Sequence, residues 1–85
     1  MKTSMLLILK YGSDPIIPSE RVATDYFDIT VEKFHRKCSD GSIRLPITMM
    51  GKGRKAARGV PLTDLADYID ARIDAARKEL TQSHA

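Results

Sequence analysis

The sequence predicts a small α+β domain in which two helices joined by a tight turn are followed by a basic hairpin and then a long helix. Three observations predict it. Apolar residues recur every three or four positions over residues 19–27, 31–38 and 65–80, the period of amphipathic helices. Between the last two of these stretches the period falls to two, as Ile43, Leu45, Ile47 and Met49 alternate with Arg44, Pro46, Thr48 and Met50, the pattern of a half-buried strand. Gly51-Lys52-Gly53 then supplies a turn, after which residues 56–62 can return as a second strand.

At 85 residues the chain is expected to form one domain, 1–85, with a thin core and a frayed tail at 81–85. It has no run of about 18 apolar residues to span a membrane, and the apolar stretch 5–9 is too short for a secretory signal core, so the expected location is the cytoplasm. Cys38 is the single cysteine, and the two histidines, His35 and His84, lie far apart; neither a disulfide nor a zinc site is expected, and no cofactor. The net charge of +3 conceals a polarised molecule. Residues 30–58 hold eight basic side chains against Glu32 and Asp40, a surplus of +6, whereas the rest of the chain has six basic and nine acidic residues, or −3. A concentrated basic surface on a mildly acidic frame suits a polyanionic partner, because each neutralised phosphate releases counterions.

Thr3 is positioned to cap a short helix through the apolar residues 5–9, with a short strand as the competing reading of so brief a run; Gly12 is a stop. Residues 13–15 read as a turn. Ile16 and Ile17 enter the core just before Pro18, a residue suited to a first helical turn. From Ser19 to Phe27 an amphipathic helix is expected, with Val22, Ala23, Tyr26 and Phe27 inward and Glu20, Arg21, Thr24 and Asp25 outward.

Thr30 is a good N-cap, and Ile29 and Phe34 stand at hydrophobic-staple spacing around it. Together they predict a tight connection between Tyr26 and Thr30. In the helix that follows, Val31, Phe34 and Cys38 form the buried stripe and Lys33, Arg36, Lys37 and Asp40 the outer one. His35 is expected at their boundary, Cys38 as a core thiol, and Gly41 as the end of the helix. Pro46 marks the strand from Ile43 as an edge or a bulge, and the return strand of the hairpin is expected over 56–62. Thr63 is the expected cap of a helix over 64–80, with Leu65, Ile69, Ile73, Ala76 and Leu80 on one stripe. This helix is longer than so small a core requires, so its last two turns are expected to meet a partner subunit. Tyr26, Phe27 and Tyr68 read as packing residues.

Helix, turn, helix, basic hairpin and helix together describe a winged helix-turn-helix domain with a short N-terminal helix and a long C-terminal one, an order similar to MerR-like and excisionase-like DNA-binding domains. A narrower resemblance rests on Ile17-Pro18, Val22, Asp25-Tyr26-Phe27, Lys33-Phe34, Arg36-Lys37, Leu45-Pro46-Ile47, the run from Lys55 to Val60 and the run from Asp64 to Asp70. Read together, with Leu6-Leu7 and Tyr11 before them, these positions resemble the pyocin activator protein family over roughly residues 3–80. That resemblance implies a regulator of phage or prophage genes that acts through DNA in the bacterial cytoplasm, associated with the nucleoid, with RNA polymerase as a candidate second partner.

The expected mode is sequence-specific binding of double-stranded DNA. The helix over 30–40 enters the major groove, with Lys33 or Arg36 on guanine edges and Thr30 and Lys37 on phosphates; the wing over 51–58 follows the backbone or minor groove through Lys52, Arg54, Lys55 and Arg58. Arg58 has a competing role in an ion pair with Asp64 or Asp67. One such module buries little surface, so a homodimer or a cooperative row of subunits on DNA is expected. Two rival readings are an architectural or excisionase-like protein that organises DNA, and a phage-encoded inhibitor that covers an acidic host protein. The sequence contains no glycine-rich phosphate loop, metal-ligand cluster or nucleophile beside a base, so catalysis is not expected.

Overall fold

A computed structural model describes residues 2–51 and 57–83. Among them the order is α1 (Thr3–Tyr11), β1 (Ile16–Pro18), α2 (Ser19–Val22), a π-helical segment (Ala23–Phe27), α3 (Val31–Ser39), β2 (Thr48–Met49), β3 (Arg58–Pro61) and α4 (Leu62–Ser83). The three short strands form an antiparallel sheet in the order β1-β3-β2, so the class is α+β. The core gathers Leu7 of α1, Ile17 of β1, Val22 and Ala23, Phe34 of α3, Ile43 and Leu45, Val60 of β3, and Leu62, Leu65 and Ala66 of α4. Within it Ile17 and Val60 stand opposite each other in the β1–β3 register, both essentially inaccessible.

The apolar run near the N-terminus is a helix. Lys2, in extended conformation, holds the N-cap position rather than Thr3. Thr3 lies within the first turn, and its hydroxyl donates to the Asp70 carboxylate, tying α1 to α4. The other end of α1 is held by a Tyr11 hydroxyl that donates to Asp25 at 2.6 Å, with Lys10 at 3.5 Å from the same carboxylate. Burial and this hydrogen bond push the Tyr11 pKa upward, and the bond holds Asp25 below the usual carboxylate range.

Ile16 and Ile17, expected only to enter the core, form a strand. Pro18 ends that strand and occupies the N-cap position of α2, ahead of the helix rather than in its first turn. The helix expected over 19–27 is α-helical only to Val22 and then widens to π geometry, closed by an Ile29 amide that donates to the Ala23 carbonyl at 3.3 Å. A π turn holds an extra residue, which alters the facing of the last side chains: Phe27 packs on Phe34 and Tyr68 at centroid distances of 5.4 and 5.8 Å, whereas Tyr26 remains 39% exposed. Asp28 then adopts the left-handed conformation that an Asp tolerates, and three residues connect to α3.

The alternation over 43–49 survives as burial without pairing. Ile43 and Leu45 are buried and Arg44 and Pro46 exposed, yet only Thr48 and Met49 pair with β3. The return strand is likewise shorter than expected, because Leu62 already begins α4; its amide donates to the Pro15 carbonyl at 2.8 Å. Thr63 is therefore inside α4, not its cap. The helix also runs on through residues 81–83, expected to be frayed, and the Thr81 hydroxyl donates to the Arg77 carbonyl. Among the described residues, no helix is long and apolar enough to cross a membrane.

Candidate nucleic-acid interface

The side chain of Thr30 accepts a hydrogen bond from the Lys33 amide at 3.2 Å, and the helix begins at the next residue. This cap fixes where α3 starts and therefore which residues face outward. Phe34 is fully buried, Val31, His35 and Cys38 half-buried, and Lys33 and Arg36 exposed on the other side, with Lys37 half-buried at the margin. Lys33 and Arg36 are separated by three positions, so their charges stand one turn apart on one face. At the far end Gly41 turns the chain at φ +87°, and the Asp40 side chain, the outermost acid of the helix, accepts from the Ser42 amide at 2.8 Å. That bond holds Asp40 ionised to lower pH than an ordinary carboxylate.

The hairpin stands beside α3. Met49 pairs with Arg58, and the Met50 amide donates to the Ala57 carbonyl at 2.9 Å. Arg58, exposed on β3, and His35, on the flank of α3, together line two open grooves. One, of about 410 Å³, is completed by Cys38, Leu45, Pro46, Ile47 and Met49, and the other, of about 440 Å³, by Pro18, Ser19, Val31 and Glu32. Burial and then the charge of Arg58 hold the His35 pKa below its ordinary value, against an opposing pull from Glu32. The His35 Nε2 and the Ser19 Oγ are buried and find no hydrogen-bond partner among the described residues.

Of the eight candidate residues, Thr30 caps α3, Lys33, Arg36 and Lys37 lie on it, and Arg58 lies across the groove from it. Lys52, Arg54 and Lys55, and with them the expected wing tip, fall outside the described residues. The alternative role for Arg58 is not seen, since among the described residues no ion pair joins it to Asp64 or Asp67. His35 is the residue of the site whose surroundings are least legible in the sequence. It is half-buried at the stripe boundary, as its spacing predicts, but that it shares its grooves with Arg58 depends on where the hairpin lies, which no local spacing encodes. Burial raises the Cys38 pKa, the opposite of what an activated cysteine requires, and among the described residues no cluster of metal-binding side chains occurs.

The sequence pattern of the pyocin activator protein PrtN family matches residues 3–76. The chain belongs to that family. The matched span of this family member runs from the start of α1 well into α4 and contains all eight candidate residues. Comparison with curated proteins and with solved structures gives no match.

Proposed function

We propose that this PrtN-family protein is a sequence-specific DNA-binding activator of phage or prophage transcription that works as a winged helix-turn-helix. The observation that carries the reading is the helix α3, capped at Thr30 and anchored by Phe34, which turns Lys33 and Arg36 outward beside a hairpin whose base holds Arg58. In this reading α2 with the π-helical segment is the first helix of the pair and α3 the one that enters the major groove. Arg36, with two parallel donors, reads a guanine edge, and Lys33 assists. The Thr30 hydroxyl accepts the Lys33 amide with a lone pair, which leaves its own proton to donate to a phosphate. Lys37 takes the next phosphate, and Lys52, Arg54, Lys55 and Arg58 follow the backbone or minor groove as the wing. Activation then follows from placing the bound protein where RNA polymerase can meet it.

The test is fluorescence anisotropy on specific and random duplexes across a salt series. If about five phosphates are neutralised per subunit, log affinity falls with log salt at a slope of about −4 to −5 per subunit. Arg36→Ala narrows the gap between specific and random DNA, while Lys52→Ala weakens both alike and lowers the slope by about one. A flat salt dependence, or equal effects of the two substitutions on both duplexes, contradicts the reading.

A further inference from the structure

The second half of α4 carries an apolar seam that its own subunit does not cover. Leu62, Ala66, Ile69, Ile73, Ala76 and Leu80 follow one another at spacings of four, three, four, three and four, the a/d pattern of a helix that packs along another helix. Leu62 and Ala66 are buried in the core and Ile69 is half-buried, but Ile73 is 40% and Leu80 61% exposed. Beside the bare half an open, mainly apolar groove of about 430 Å³ runs between α4 and the π-helical segment, lined by Tyr26, Phe27, Ile69, Ile73 and Ala76 among others.

We propose that this seam receives the same seam of a second copy of the chain, the two helices lying antiparallel with Ile69 opposite Leu80 and Ile73 opposite Ala76. The charges flanking the seam select both the occupant and the alignment. In heptad terms Asp70 and Arg77 flank it on one side, and Arg72 and Glu79 on the other. Antiparallel pairing sets like flanks together, so Asp70, one of whose carboxylate oxygens accepts from Thr3 of its own subunit, faces Arg77 of the second copy and Arg72 faces its Glu79, each contact repeated by the two-fold axis. Sliding the pair by one heptad one way sets Asp70 against Asp70 and Arg72 against Arg72. Sliding it the other way sets Arg77 against Arg77 and Glu79 against Glu79. Parallel helices in register set Arg72 against Arg77. Of these four alignments, only the first opposes unlike charges throughout.

Exposed pairs of this kind add little affinity but separate one alignment from another, because like charges in contact are unfavourable. Arg77 is free to reach across, since its side chain is 78% exposed and its ion pair with Asp74 spans 4.0 Å. Affinity comes from Ile73, Leu80 and the groove. The seam is short, under two heptads, so the dimer is weak, of roughly micromolar order. The interface uses none of the basic residues of α3 or the wing, and it stands or falls without DNA.

Sedimentation equilibrium of the DNA-free chain tests it. The expected result is a concentration-dependent monomer–dimer equilibrium in which Leu80→Asp weakens association at least about tenfold, with helix content unchanged by circular dichroism. Cysteine cross-linking on a Cys38→Ser background keeps the test decisive if that variant misfolds. An oxidised equimolar mixture of Ile73→Cys and Ala76→Cys chains yields mainly the mixed cross-link, and neither variant alone cross-links efficiently. A monomer up to about 1 mM, a folded Leu80→Asp variant that still dimerises fully, or predominant 73-to-73 cross-links overturns the proposal.

Discussion

Gly59 has no room for a side chain: a Cβ there would collide with Ile16 Cγ2 and stand 2.8 Å from the Ile17 carbonyl oxygen. The residue sits in the central strand, between Pro18 and Thr48, so neither neighbour can move without disturbing the sheet. Gly59→Ala is expected to destabilise by about 2–3 kcal/mol, read as a lower midpoint in urea; an unchanged midpoint would mean that β1 and β3 are not in this contact. His35 makes a different prediction. Its folded pKa lies below the ordinary 6.5, so on acidification the unfolded chain takes up a proton first. The associated stability is fully present above about pH 6.5 and is lost as pH falls through the folded value. The melting temperature should therefore fall as the pH drops from 7 toward 5, and His35→Gln should flatten that slope. Asp25 and Asp40, both held below the usual 3.8, add a second loss at more acid pH that the substitution leaves in place. An identical slope in the variant between pH 7 and 5 would remove His35 from this role.

At the scale of elements, α3 shows what was legible in the sequence. Its start, stripe and stop depend on chemistry within one helix: the Thr30 hydroxyl three residues from the Lys33 amide, Phe34 on the inner stripe, Gly41 at the exit. All three are found as read. Thr30→Ala is expected to lower stability by about 1 kcal/mol, measured by denaturant titration; no loss would show that the cap contributes nothing to the fold. What was not legible depends on partners far along the chain. β1 is three residues long and becomes a strand by pairing with β3, a relation that Ile16 and Ile17 do not announce. The alternating run 43–49 announced a strand but delivers pairing at only two residues, because period two encodes which side chains turn inward, not whether a neighbouring backbone lies alongside. Thr63 shows the same limit in reverse. A competent cap residue was overridden when the Leu62 amide found the Pro15 carbonyl and the helix began two residues earlier than expected, at Leu62. In the site, the basic face of α3 was readable from spacing, but that His35 and Arg58 line the same grooves was not, since it depends on where the hairpin lies relative to the helix.

The whole molecule is elongated, about 52 × 29 × 17 Å, and α4, at 22 residues, is about 33 Å long. Its first half closes the core, and its second half continues the same apolar seam into solvent. The basic surplus over residues 30–58 is carried by different parts of the chain from that seam. In the proposed reading one module holds phosphates while another joins subunits, and a weak single site becomes useful when two are linked. In the proposed dimer the two-fold axis of the α4 pair also relates the two copies of α3, so half-sites read by α3 would be inverted rather than repeated head to tail. Sequencing the duplexes retained by the protein from a random library at about physiological salt tests the DNA-reading account most directly. It predicts one enriched motif, arranged as two inverted half-sites. Retained DNA without an enriched sequence, or no retained DNA at all from folded protein, would contradict it.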